Sequence, residues 1–192
     1  MEVKVLREAG YEVALLGMGL SYGVTDTIRL ENIANKLAPK DGGHNKFLES
    51  MVVWVAINAP RYWWAEADTY RVGTTKQSES TIHTICRTFL SQENFEYNIF
   101  PDTITNLNIT IKKYNDEEDV EKKKHYFKII KNNLPEGYIQ GRVVCTNYKV
   151  IKNMCEQRKN HKLEEWSFFI KEMQKQLLHS KFIFNSNLTN EN

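Results

Sequence analysis

Apolar residues recur along this chain with two periods, and the switches between them mark its elements. Val3, Val5 and Leu6 begin an alternation; an apolar run from Val13 to Leu20 follows, interrupted by Gly17 and Gly19. Glycine weakens both helix and strand and lets another backbone come close, so this run stays open between the two. Leu30, Ile33, Ala34 and Leu37 have helical spacing behind a capping Thr25 or Asp26, and Pro39 with Gly42-Gly43 ends that helix. Residues 51–57, MVVWVAI, are continuously apolar and β-branched. They predict a strand buried on both faces, or one covered by a subunit on its far side.

Ala59-Pro60 opens a helix expected to reach Arg71-Val72-Gly73. On it Trp63, Ala67 and Tyr70 share one face, and Trp64, Asp68 and Arg71 another. Two adjacent tryptophans on different faces cannot both enter one core, so a ligand or a subunit is expected over one of them. Thr74 to Thr81 is nearly all donors and acceptors, a loop that is either solvated or ligand-binding. Ile85, Cys86, Phe89 and Leu90 begin as a helix and turn irregular. Residues 101–133 alternate near Ile104, Leu107, Ile109 and Ile111, then become a charged amphipathic helix through Val120, Phe127 and Ile130. Gly141 to Thr146 reads as a strand, and Asn147 as the cap of a helix whose face is Val150, Ile151, Met154 and Cys155. Trp166, Ile170, Met173 and Leu177 give the last helix, Leu163 to Phe182, a heptad-like seam. The tail from Asn185 is polar and is expected to fray.

Composition narrows the class. The 192 residues, 41% hydrophobic and 26% charged, suit a soluble globular chain with a sizeable core. A net charge of +2 implies neither nucleic acid nor a membrane surface. Cys86, Cys145 and Cys155 are odd in number and lack C-x-x-C spacing, which points to reduced thiols in a cytoplasmic setting. The charged start is no signal peptide, and no apolar run approaches the roughly 18 residues of a spanning helix. Asn108-Ile-Thr110 and Asn187-Leu-Thr189 match glycosylation acceptors by accident of sequence. No histidine or cysteine cluster has metal-ligand spacing.

Ser21, just after an apolar run, is a candidate ligand contact as well as an ordinary turn serine. Four short motifs then fall in one order: Ser21-Tyr22, Gly43-His44, Leu48-Glu49 and Ala59-Pro60, followed by Arg71 and the polar loop. In order and spacing this resembles the flavin-dependent thymidylate synthases. Their signature Arg-His-Arg stands here as Thr69-Tyr70-Arg71, and their Asn-Glu as Lys76-Gln77. Near their Ser-x-Arg-Tyr this chain has Ser78-Glu79-Ser80-Thr81-Ile82-His83, with the serine one place off and no arginine. In the C-terminal half Asn147, Asn153 and Arg158 repeat a spacing by which that family holds flavin and nucleotide.

The resemblance covers roughly residues 13–83 and 134–178. It implies an α/β (α+β) fold, with a central, mostly antiparallel sheet flanked by helices. A single domain would span 1–184, with 101–133 a divergent insertion or lid and 185–192 a polar tail. It implies FAD, held by Ser21, His44, Glu49, Arg71, Asn147, Asn153 and Arg158. The substrate side would be Glu66, Gln77, Ser78, Ser80 and His83, with Lys76 or His83 in place of the lost arginines. It implies a homotetramer with sites between subunits. The family reaction moves one carbon to a pyrimidine deoxynucleotide without a protein nucleophile, so no catalytic residue is assigned. Two readings stay open: a divergent enzyme, and a scaffold that sequesters or senses a nucleotide, a signalling nucleotide included. A purely structural oligomer leaves the loop from Gln77 to His83 unexplained.

Overall fold

The computed structural model describes residues 1–184, so the polar tail and Asn187 lie outside the described residues. Four strands, β1 (Glu2–Ala9), β2 (Val52–Pro60), β3 (Thr75–Ser78) and β4 (Ile139–Asn147), form one antiparallel sheet in the order β1-β2-β4-β3. The helices are α1 (Tyr11–Leu20), α2 (Thr27–Leu37), α3 (Arg61–Ala67), α4 (Thr81–Thr84), α5 (Pro101–Asp116), α6 (Val120–Asn133), α7 (Tyr148–Arg158) and α8 (Glu164–Gln176). No described helix is long and apolar enough to cross a membrane. Backbone contacts divide the chain into two compact units. The first holds Met1, Asn58–Ala67 and Ser78–Arg142; the second holds Glu2–Ile57, Asp68–Gln77 and the described residues from Val143 onward.

In the second unit the run left open between helix and strand is a helix, α1. Gly19 is there for space: a Cβ on it would lie 2.4 Å from Leu30 Cδ2 and 2.5 Å from the Val24 carbonyl oxygen. That close approach seats α1 against α2, whose Leu30, Ala34 and Leu37 are buried. Asp26 caps α2, accepting the Arg29 N–H at 2.8 Å. In β2, Val53, Val55 and Ile57 are buried while Val52, Trp54 and Ala56 are half-buried. One face is therefore fully covered within the chain and the other only partly. Of the heptad-like seam, Trp166, Met173 and Leu177 are buried in this chain alone, and Ile170 is half-buried.

The first unit corrects three expectations. Ala59 and Pro60 end β2, and α3 is a short helix that stops at Ala67. Both tryptophans on it are covered by the chain itself. Trp63 and Trp64 are 2% and 1% exposed and meet edge to face at 4.9 Å. The Arg142 guanidinium lies 4.2 Å over the Trp64 ring, and the Trp64 indole donates to the Gln140 carbonyl at 2.9 Å. A stacked cation thus covers the second ring, with no need for a ligand or a subunit. Residues near Ile104 to Ile111 are helical, because Pro101 starts α5 in its first turn and Ile104, Leu107 and Ile111 fall at i, i+3 and i+7. Leu107, Ile111, Ile130 and Leu134 of the α5–α6 region pack with Ile85, Leu90, Phe95 and Tyr138 into this unit's core.

Candidate functional site

The site is built in the second unit, where the loop Thr69 to Gly73 runs beside the start of α7. Asn147 caps that helix, its Oδ1 accepting the Val150 N–H at 3.0 Å. Thr146, just before it, donates its hydroxyl to the Gly73 carbonyl at 3.1 Å and pairs with the Thr74 hydroxyl at 3.1 Å. Gly73 has a left-handed φ of 69°. A Cβ there would sit 3.0 Å from Asn147 Nδ2 and 3.1 Å from Val150 Cγ2. Only glycine allows both that turn and that approach. The loop is thereby fixed against the helix, and the space in front of it is a cleft of about 590 Å3.

Charge in the cleft is arranged in pairs, with two exceptions. Lys149 reaches Asn45 Oδ1 at 2.6 Å and Asp41 at 3.4 Å. Lys152, its side chain buried, pairs with Glu156 at 2.8 Å. Arg71 and Glu49 also line the cleft, yet neither side chain makes a hydrogen bond or ion pair among the described residues. Tyr70 forms part of the wall and is held from behind. Its hydroxyl donates to Gln157 Oε1 at 2.9 Å and accepts from Arg158 Nε at 3.1 Å. The Arg158 guanidinium lies 5.1 Å from the Trp166 ring centre. Arg158 thus braces a wall of the cleft through Tyr70.

A second cleft of about 500 Å3 shares Glu49 as a wall. Ser21 and His44 line it with apolar surface from Val13, Met18 and Phe47. The structure therefore gathers six of the seven residues expected on the cofactor side: Ser21 and His44 in one cleft, Arg71, Asn147 and Asn153 in the other, and Glu49 in both. The substrate-side residues line neither cleft. Gln77 and Ser78 lie on β3, Ser80 precedes α4, His83 is exposed on it, and Glu66 lies on α3. In the first unit Glu79 fastens that loop, donating its N–H to the Gly141 carbonyl at 2.8 Å and accepting from Gln140 Nε2 at 2.6 Å. Lys76, a candidate replacement for the lost arginines, pairs with Asp68 at 3.0 Å. Lys131 of α6 donates to Thr81 Oγ1 at 2.5 Å, and burial together with the Arg61 charge lowers its pKa.

Sequence reasoning missed Tyr70, Gly73, Lys149, Lys152 and Glu156. One signal was present. Lys149, Lys152 and Glu156 recur at i, i+3 and i+7 behind a capping asparagine, a polar stripe on one face of α7. No signal in the linear sequence joins Gly73 to Asn147.

No family model matches this sequence, and no curated protein matches it at a significant level. Solved structures do match. The flavin-dependent thymidylate synthase ThyX of Helicobacter pylori, complexed with FAD and dUMP, aligns with a TM-score of 0.75 at 15% identity, over 96% of this chain and 98% of that one. Another structure of thymidylate synthase X from Helicobacter pylori, also with FAD and dUMP, aligns with a TM-score of 0.73 at 16% identity, over 99% and 100%. The chain has the fold of these enzymes, as the order of motifs implied.

Proposed function

We propose that this chain binds a nucleotide in the two clefts around Glu49, with FAD as cofactor and a pyrimidine deoxynucleotide as the substrate of a one-carbon transfer. The observation that carries the reading is the pairing pattern of the larger cleft. Asp41 and Glu156 neutralise its lysines, while Arg71 keeps its guanidinium for an outside anion. A planar fork on a fixed loop suits phosphate, which it meets with charge-assisted, bidentate bonds. The adjoining cleft, apolar with a rim of Ser21 and His44, suits a flat ring with a polar edge. An anion-binding group beside a ring-binding surface fits a dinucleotide such as FAD. Two solved structures of the same fold hold FAD and dUMP, which supports the assignment.

FAD, when bound, supplies hydride chemistry that no side chain can. This chain's residues bind and orient: Arg71 the phosphate, Glu49 an N–H at the boundary of the two clefts, and Tyr70 one wall. The reading includes a homo-oligomer, a tetramer by resemblance. In its support, α1 is apolar on nearly every side, with Val13 71%, Leu16 50% and Leu20 76% exposed.

Sequestration without turnover is the second reading, and one observation favours it. Hydroxyls, an amide, a carboxylate and an imidazole make up the substrate-side set, Lys76 is committed to Asp68 and Lys131 to Thr81. That set therefore supplies no second phosphate clamp. Titrating the protein with FAD by flavin fluorescence, then assaying dUMP with methylene-folate, separates the readings. Binding with turnover supports the enzyme, and binding without turnover supports sequestration. A protein that takes up neither FAD nor dUMP sinks the enzyme, and one that in addition releases no nucleotide on heating and binds none in titration sinks sequestration as well.

A further inference from the structure

The first unit carries another depression, which the nucleotide reading does not use. It lies where Ile82, in α4, meets the α5–α6 hairpin, and has a volume of about 370 Å3. Its floor is apolar: Ile82, Tyr114, Val120 and Phe127. Ile82 and Val120 are each 64% exposed, and exposed aliphatic side chains beside two aromatic rings form the kind of patch that marks an interaction site.

Its rim is cationic. Lys123, Lys124 and Lys128 line the groove and no acid does. Lys123 holds its ammonium 5.0 Å from the centre of the Tyr114 ring. Lys124 pairs at 2.8 Å with Glu121, both well exposed, a contact of little energy in water. Lys128 makes no hydrogen bond or ion pair among the described residues. Two of the four acids on the neighbouring turn are engaged locally: Glu117 accepts the Asp119 N–H and Asp119 accepts the Lys122 N–H. Val120, Lys123, Lys124, Phe127 and Lys128 recur at i, i+3, i+4, i+7 and i+8, so one face of α6 presents apolar and basic groups together.

We propose that this groove docks an acidic amphipathic segment of a protein partner, with apolar side chains entering between Ile82, Tyr114, Val120 and Phe127 and carboxylates meeting Lys123, Lys124 and Lys128. Charge complementarity selects this occupant. A neutral apolar segment would desolvate three ammonium groups without a counter-charge. A nucleic acid would leave the apolar floor of Ile82, Tyr114, Val120 and Phe127 uncovered. The open groove suits side chains projecting from one face of a helix.

Two fluorescent peptides of about four helical turns test this. Both carry leucines at i, i+3, i+4 and i+7; the other positions are glutamate in one and lysine in the other. Titrated against the full-length protein by anisotropy, the acidic peptide binds saturably and the basic one does not. Lys124→Glu with Lys128→Glu weakens the acidic peptide roughly tenfold and admits the basic one, with the melting temperature unchanged. No saturable binding of the acidic peptide, or equal binding by the charge-reversed protein, overturns the proposal. Sedimentation velocity covers the remaining occupant: self-association abolished by the same double substitution puts a second copy in the groove, and that too overturns it.

Discussion

Arg71 and Arg158 belong to the same expected set but do different work. Arg71 is exposed on a loop and unpaired among the described residues, so Arg71→Ala should leave the melting temperature almost unchanged. It should weaken nucleotide binding by about 1.5–3 kcal/mol, the scale of a hydrogen bond to a charged group, or roughly tenfold to a hundredfold in a fluorescence titration. Arg158 is half-buried on Trp166 and bonded to the Tyr70 hydroxyl. Arg158→Ala should therefore cost stability, on the order of 1–2 kcal/mol, besides weakening the ligand. Tyr70→Phe should reproduce part of the affinity loss with little unfolding. If Arg158→Ala melts normally and Tyr70→Phe binds normally, positioning through Tyr70 is wrong. Spacing marked both arginines, but it could not tell the one left unpaired among the described residues from the one bonded to Tyr70.

Asn147 both caps α7 and stands against Gly73, so Asn147→Ala should cost about 1 kcal/mol from the cap and should also loosen the loop that bears Arg71. Thermal melts and ligand titration would report the two effects separately. In the α5–α6 hairpin, Ile111 and Ile130 are fully buried. Ile130→Ala should destabilise by about 2–5 kcal/mol, and chemical denaturation should show it. The segment after α8 contributes a pH dependence. His179 stacks at 3.6 Å on Tyr11 and burial holds its pKa below the ordinary 6.5. Below pH 6.5 the unfolded chain takes up a proton that the folded one resists, so stability should fall as the pH drops from there toward the lower folded value. His179→Gln should flatten the slope of melting temperature against pH in that window. The helix of residues 27–37 and the strand of residues 139–147 were legible because period, cap and breaker agree there. The α5 helix was misread as alternation because Ile109, an exposed isoleucine, filled the gap between buried positions.

At the scale of the whole molecule, the question is what covers α1. Val13, Leu16 and Leu20 are exposed on it, and light scattering behind size exclusion should find an assembly larger than a monomer. Leu16→Glu with Leu20→Glu should dissociate it. A monomeric wild-type protein would remove the shared-subunit part of the proposal while leaving the two clefts to be tested by ligand alone. The tryptophan pair argues nothing about assembly: Arg142, distant in sequence, covers Trp64 from within its own unit.

By itself the sequence determined where most strands and helices lie, since side-chain period and capping are local. It also determined the fold by resemblance, because motif order survived where the signature did not. Only the tertiary structure decided which charges in the cleft are cancelled. Lys149 meets Asp41 and Asn45 across more than a hundred residues of chain, and among the described residues Arg71 is unpaired while Asp41 and Glu156 engage the lysines. The availability of a charge depends on what folds beside it, and a linear spacing does not contain that.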